Sequence, residues 1–323
     1  MRTAALSMPA AIEAEPVLLD AIRTAGDWFN HGAASAGNGQ PVQDPSLRVQ
    51  ALAVFLYANW YAAPLDKPRR DSPVPLVESL RAADHGSGTW EEGWIAKSVS
   101  SAGRVVAVRE REQRMLSPGD YVSIRLPGLV PPVGTPVTVV RRCDSTTALP
   151  GYWVTHSHRW FSERGTLARL YWNVQTAGAP VLVRQLTRAL DRAPFCLKVP
   201  SEPAGFARAD AAVLYVPAAM VPVLRGSLRG AHESVLDWLS PDTPPLTKPI
   251  GLGLGAAETR CDAAESFGQH RCRLIAQALL PAFQRRRPAL ADLLSAIGAQ
   301  FLREGLTLSH PWLEPAGVDH YAL

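Results

Sequence analysis

The sequence predicts an α+β protein: a mixed sheet with flanking helices, preceded by a helical N-terminal region and a small β-rich module. Three observations carry this. Apolar residues recur at helical spacing through much of the first hundred positions. Between 103 and 154 the period drops to two. From 167 onward, strand-like and helix-like runs alternate. The divisions expected are 1–100, 101–160 and 161–323, within one compact unit.

Each element has a local reason. Residues 16–29 and 47–61 carry apolar side chains at helical spacing, and the second run stops before Pro64. A Pro- and Arg-rich turn (64–75) leads into a short helix at 76–83. The segment D-H-G-S-G-T-W-E-E-G-W (84–94) reads as a loop whose tryptophans serve as packing anchors or as ligand platforms. Strands are expected at 104–108, 121–125 and 135–141, separated by S-P-G-D and L-V-P-P-V-G turns. Further on, strands are expected at 167–174, 195–200 and 211–216, and helices at 179–190, 217–239, 268–287 and 290–304. A loop is expected at 240–255 and an irregular tail from 306.

Composition narrows the classes. The chain has 323 residues, 47% of them hydrophobic, enough for a sizeable core. No apolar run approaches the roughly 20 residues that span a bilayer, so no membrane partner is expected. Glu13 and Glu15 break the faintly signal-like start, which reads as a mature cytoplasmic N-terminus. The net charge is only +4, and no nucleic-acid-binding motif is present. The run Arg285–Arg287 is a solvated helix end or a polyanion contact. Cys143, Cys196, Cys261 and Cys272 lack C-x-x-C spacing and read as free thiols. The pair His156-x-His158 has no third ligand nearby, so no metal site is expected.

Five short signatures lie between residues 169 and 273: R-L-Y-W-N-V, F-C-L-K-V, R-A-D-A-A-V-L-Y-V, T-K-P-I-G-L-G-L-G and S-F-G-Q-H-R-C-R. Each sets a cation in, or at the mouth of, an apolar element. Desolvating an unpaired charge is costly. One pocket holding an anion would account for all five. Period two puts Arg169, Tyr171 and Asn173 on one strand face. Lys198 sits among Phe195, Leu197 and Val199. An apolar setting disfavours a charged amine, and a neutral amine is a competent general base; the alternative is a lysine reaching out to solvent. Arg208 either grips phosphate bidentately or pairs with Asp210. The T-K-P loop is neither a Walker A loop nor a Rossmann fingerprint. It either brings backbone to a substrate or simply turns. Ser266 suits a helix N-cap, with His270 and Arg271 in the first turn. His270 is a proton donor or an interior hydrogen-bonded histidine. Together, Arg169, Arg208, Lys248 and Arg271 would neutralise phosphate. Lys198 would take a proton from the adjacent carbon, and His270 or Tyr171 would protonate the departing oxygen. Asn173 and Tyr215 would support them. No cofactor or metal is called for.

These signatures, with F-L-Y-A-N-W-Y (55–61), G-S-G-T-W-E-E-G-W and L-S-P-G-D-Y-V, resemble the HopA-type effector domain. That family includes effectors of plant pathogens and peptide-modifying enzymes. In the latter branch, proteins of this type look like the lyase half of a split Ser/Thr dehydratase of class V lanthipeptide and thioamitide pathways. The resemblance implies two partners: a phosphorylated precursor peptide and a separate phosphotransferase-type kinase. It implies β-elimination of phosphate to give dehydroalanine or dehydrobutyrine. By similarity to phosphothreonine lyases, Lys198 matches the base and Arg208 a phosphate-binding arginine. Arg169 and Tyr171 fall where those lyases have a Lys-x-His pair, so the acid stays open. The first third and the β module are expected to bind the kinase or the leader peptide. The competing class is a non-catalytic phosphopeptide- or partner-binding module.

Overall fold

A computed structural model describes residues 15–30, 44–65, 75–85, 89–123, 129–141, 143–157, 165–284 and 288–323. The α+β class holds. The N-terminal region contains α1 (Glu15–Asn30), α2 (Pro45–Leu56) and α3 (Leu76–Ala83). Helix α1 buries Leu18, Ala21, Ile22, Ala25 and Trp28, one stripe at helical spacing. Asp44 caps α2, accepting from the Ser46 amide at 2.8 Å, with Pro45 in the first turn. Helix α2 does not end cleanly. It widens into a π-helical turn, Tyr57–Tyr61, before the chain leaves the helix.

The first sheet is antiparallel and five-stranded: β1 (Thr89–Val99), β2 (Val105–Arg109), β3 (Glu112–Leu116), β4 (Tyr121–Ser123) and β5 (Pro136–Arg141), in the order β3-β2-β1-β5-β4. Its core is its own, built from Trp94, Ala96, Val105, Ala107, Leu116, Val137 and Val139. Strand β1 falls partly where a loop is expected, at 84–94. An irregularity hides it from the sequence: the register shifts between Glu91 and Trp94, and Gly93 has φ 84°. An extra residue breaks the alternation that marks a strand. Trp94 is fully buried between the Arg109 and Arg114 guanidiniums, each 4.6 Å from its ring, so it is a packing anchor.

The second sheet holds β6 (Asp144–Ser145), β7 (Tyr152–His156), β8 (Thr166–Trp172), β9 (Cys196–Pro200), β10 (Ala212–Pro217), β11 (Lys248–Gly251) and β12 (Leu254–Arg260). Its order is β11-β12-β8-β10-β9-β7-β6, and its pairings are antiparallel where a mixed sheet was expected. Strands β6 and β7, which the sequence grouped with the β module, belong here. They are tied to α3: Thr155 donates to Asp84 at 2.6 Å, and Arg81 donates to Asp144 at 2.8 Å. Strand β11 falls where a loop was expected, and β12 runs from the end of that loop through residues assigned to no element. β12 is made of small residues buried on both faces, so it lacks the β-branched signature. Its glycines make room for the chain itself. A Cβ on Gly255 would stand 2.6 Å from Thr247 Oγ1, and one on Gly253 2.2 Å from the Ser240 carbonyl.

Helices α4 (Ala179–Ala189), α5 (Val221–Glu233), α6 (Phe267–Phe283) and α7 (Leu290–Arg303) complete the fold. The face carrying Leu170, Trp172, Leu197, Leu214 and Trp153 is fully buried, with α3 and α5 against it through the Asp84–Thr155 bond and the Trp172–His232 ring contact. Helix α4 packs between those two helices. The opposite face meets α6 and the π-turn at the β8 and β12 end, where Phe267 packs beside Tyr171 and Tyr61. Over β9 and β7 that face stays partly open. No described helix is long and apolar enough to cross a membrane.

Candidate functional site

Register places the predicted residues on this half-open face. Tyr171 of β8 pairs with Val213 of β10, which pairs with Lys198 of β9. One row along, Arg169 pairs with Tyr215, and Tyr215 with Cys196. Directly paired residues point to the same side, so Arg169, Tyr171, Tyr215, Cys196 and Lys198 share one surface. Two strand spacings separate Tyr171 from Lys198, about 10 Å of backbone.

Two cations dominate this surface. The Arg169 guanidinium lies over the Tyr215 ring, 5.0 Å from its centroid, and Lys198 Nζ lies over Tyr152 at 4.7 Å. Both are half-buried, and neither has a carboxylate partner among the described residues. Around them the environment is aromatic and poorly hydrated. Burial pushes the Tyr171 and Tyr215 hydroxyls up to about 12, although Arg169 pulls both the other way. Burial also lifts the Cys196 thiol to about 11, opposed by Lys198. Both phenols are therefore protonated at neutral pH and are hydrogen-bond donors.

Arg208 approaches from the mouth of β10 but is engaged. Its Nε and one Nη each donate to Asp210 at 2.7 Å, and the same Nη donates to the Tyr57 hydroxyl at 2.9 Å. The pairing reading of Arg208 is the one the geometry displays. Its ring partner Tyr57 belongs to the π-turn, so the N-terminal helices reach the site.

Of the other predicted residues, Arg271 stacks on Phe267 beside Tyr171 but is engaged elsewhere, and the rest are engaged away from this surface. Lys248 pairs with Asp319 at 2.7 Å and belongs to the opposite sheet face, in register with Ala256 and Leu170. Asn173 lies beyond β8 and donates to the Asp242 carbonyl at 2.8 Å, holding the 240–247 turn. Arg271 is fully buried and donates to the carbonyls of Pro311 (3.0 Å) and Leu313 (3.1 Å), clamping the C-terminal segment. It also donates to His270 Nδ1 at 2.6 Å. Burial, reinforced by Arg271, pushes His270 down to about 4, so it is neutral near pH 7 and ill suited to act as an imidazolium acid. Ser266 does cap α6, in a reciprocal box with Gln269. The single five-cation pocket is thus corrected: Arg169 and Lys198 share a face, Arg208 stands beside it, and Lys248 and Arg271 are spent on holding the tail. His156 is exposed, with its Nδ1 2.8 Å from the Ser157 carbonyl, while His158 and Arg285–Arg287 lie outside the described residues.

Residues 143–313, just over half of the chain, match the HopA1 effector protein family. The chain belongs to that family. Its fold is shared by two solved structures. The effector protein from Pseudomonas syringae pv. tomato strain DC3000 is 14% identical, with a TM-score of 0.51 over 93% of this chain and 100% of that one. The effector protein from Pseudomonas syringae pv. syringae strain 61 is 16% identical, with a TM-score of 0.55 over 94% of this chain and 99% of that one. No curated protein matches. The HopA1 match begins at Cys143, so it takes in the whole second sheet with Arg169 and Lys198. It leaves out Tyr57 and Tyr61, which sequence reasoning also missed as site residues. Their signal was the i, i+4 tyrosine pair in F-L-Y-A-N-W-Y.

Proposed function

We propose that this HopA1-family protein is a phospho-Ser/Thr lyase that eliminates phosphate from a phosphorylated precursor peptide, working with a separate kinase. The observation that carries this reading is the pair of half-buried cations on one sheet face, Arg169 and Lys198, with no carboxylate among the described residues at ion-pair distance from either. Such a surface favours an anion over water.

In this reading Arg169 holds the phosphoryl oxygens. The Lys198 amine removes the Cα proton, the electron pair forms the Cα=Cβ bond, and the Cβ–O bond breaks with its electrons leaving on phosphate. The Tyr171 hydroxyl, protonated at neutral pH and beside Arg169, donates to the departing oxygen. Neutralising charge on the enolate-like centre and on phosphate supplies most of the acceleration.

Mass spectrometry of a phosphoserine/phosphothreonine peptide tests this, comparing wild type with Lys198→Met. Loss of phosphoric acid with wild type alone is expected. A peptide that stays phosphorylated, even with the kinase added, sinks the lyase. A second reading, a non-catalytic phosphopeptide reader, draws support from the Tyr152 ring beneath Lys198, because a ring face attracts a charged ammonium. A reader binds the phosphopeptide tightly and never turns it over.

A further inference from the structure

Three buried polar groups cluster at this site, the Tyr61 hydroxyl, the Tyr171 hydroxyl and Arg169 Nε, and none of these atoms makes a hydrogen bond of good geometry. Buried donors are rarely left unpaired, and each exception calls for an explanation. These three lie close enough to shift one another's ionisation. Beyond the larger effect of burial, Tyr171 raises Tyr61, and Arg169 and Tyr61 lower Tyr171, partly through loose side-chain hydrogen bonding among the three. They come from two parts of the chain far apart in sequence, the π-turn and β8.

The seating of Tyr61 is specific. Its ring stacks on Tyr57 at 5.5 Å and packs beside Phe267. It fits only because residue 268 is glycine: a Cβ there would lie 2.2 Å from the Tyr61 ring. π-Turns inside helices concentrate at functional sites. Here the wider turn lets Tyr57 meet Arg208 while Tyr61 meets Tyr171.

We propose that Tyr61 is a positioning residue of the anion site, completing a donor chain from Tyr61 through Tyr171 to a phosphoryl group held by Arg169. A hydroxyl both accepts and donates. Once phosphate accepts from Tyr171 and Arg169, Tyr61 donates squarely to the Tyr171 oxygen, and the loose contacts among the three tighten into one chain. Chained hydrogen bonds polarise one another. The ligand class is a phosphomonoester dianion, borne by a peptide or free as inorganic phosphate. This deepens the lyase reading and rests on its anion site, not on its elimination step. It also gives the first third a role besides partner binding: the helical region is one wall of the site.

The test is Tyr61→Phe in the full chain, which keeps the ring and deletes one oxygen. Thermal unfolding is followed without ligand, with inorganic phosphate and with a phosphoserine peptide. The unliganded Tm is expected to change little, because without ligand the hydroxyl makes no hydrogen bond of good geometry. Affinity for phosphate or phosphopeptide is expected to fall about fivefold to tenfold, the scale of one neutral hydrogen bond. If elimination occurs, KM rises by a similar factor and kcat falls as well, because Tyr61 no longer polarises the Tyr171 hydroxyl that donates to the departing oxygen. A stabilising response to the peptide but not to free phosphate assigns the site to the peptide-borne group and supports the proposal. Unchanged affinity overturns it, as does a lower unliganded Tm with affinity intact, which would give the hydroxyl to the fold. A wild type that responds to neither ligand also overturns it. Weakened binding in Tyr61→Phe with no elimination by wild type leaves this inference standing and removes only the lyase.

Discussion

At the scale of single residues, the decisive property is which cations already have partners. Arg208 pairs two positions along with Asp210, and that possibility was legible in the sequence. Lys248 and Arg271 find theirs 71 and 40 residues away, at Asp319 and Pro311, which no local pattern reveals. Arg169 and Lys198 stand out in the sequence as cations in apolar strands, but nothing there distinguishes them from the spent ones. His270 carries a pH signature. Its folded-state value near 4 lies below the ordinary 6.5, so between those values the unfolded chain binds more protons and stability falls as pH drops. His270→Asn keeps an acceptor for Arg271 and removes the titration. Its Tm is expected to lose less than the wild-type Tm between pH 6.5 and 4. Identical slopes in the two proteins would clear His270 of this role.

Among the elements, those with unbroken periodicity were legible: α1, α4, α7 and strands β8, β9 and β10 lie within a residue or two of expectation. The misses have physical causes. Strand β1 carries an extra residue, and β12 trades branched side chains for small ones because it is covered on both faces. The Gly268 position in α6 shows two effects competing. Gly268→Ala gains about 1 kcal/mol of helix propensity. It also drives a methyl into a Tyr61 ring already packed near Tyr57 and Phe267, and overpacking typically costs about 1–3 kcal/mol or more at such a contact. The clash is expected to win, with a net loss of about 1–2 kcal/mol in urea unfolding. A stabilised Gly268→Ala protein would mean that the ring has space to retreat.

For the whole molecule, the described residues form two hydrophobic cores. One runs through both helical layers and the second sheet, and the other is confined to the first sheet. A small core buries too little surface to be very stable alone. Native-state hydrogen exchange is expected to show Ala96, Ala107 and Val139 opening at lower free energy than Leu170, Leu197 and Leu214. A single shared opening energy would indicate that the first sheet is locked to the rest. The α+β class could be read from periodicity, whereas the convergence of the π-turn on β8 could not, because it depends on how α2 and α6 pack.

The contact between Gly268 and Tyr61 also constrains descent. The two positions lie more than two hundred residues apart, yet a ring at one forbids a side chain at the other. In any lineage that keeps the ring, drift at the glycine is closed off; a lineage that gives up the ring frees it. The two positions are therefore expected to change together, with loss of the tyrosine before loss of the glycine as the route that costs less stability.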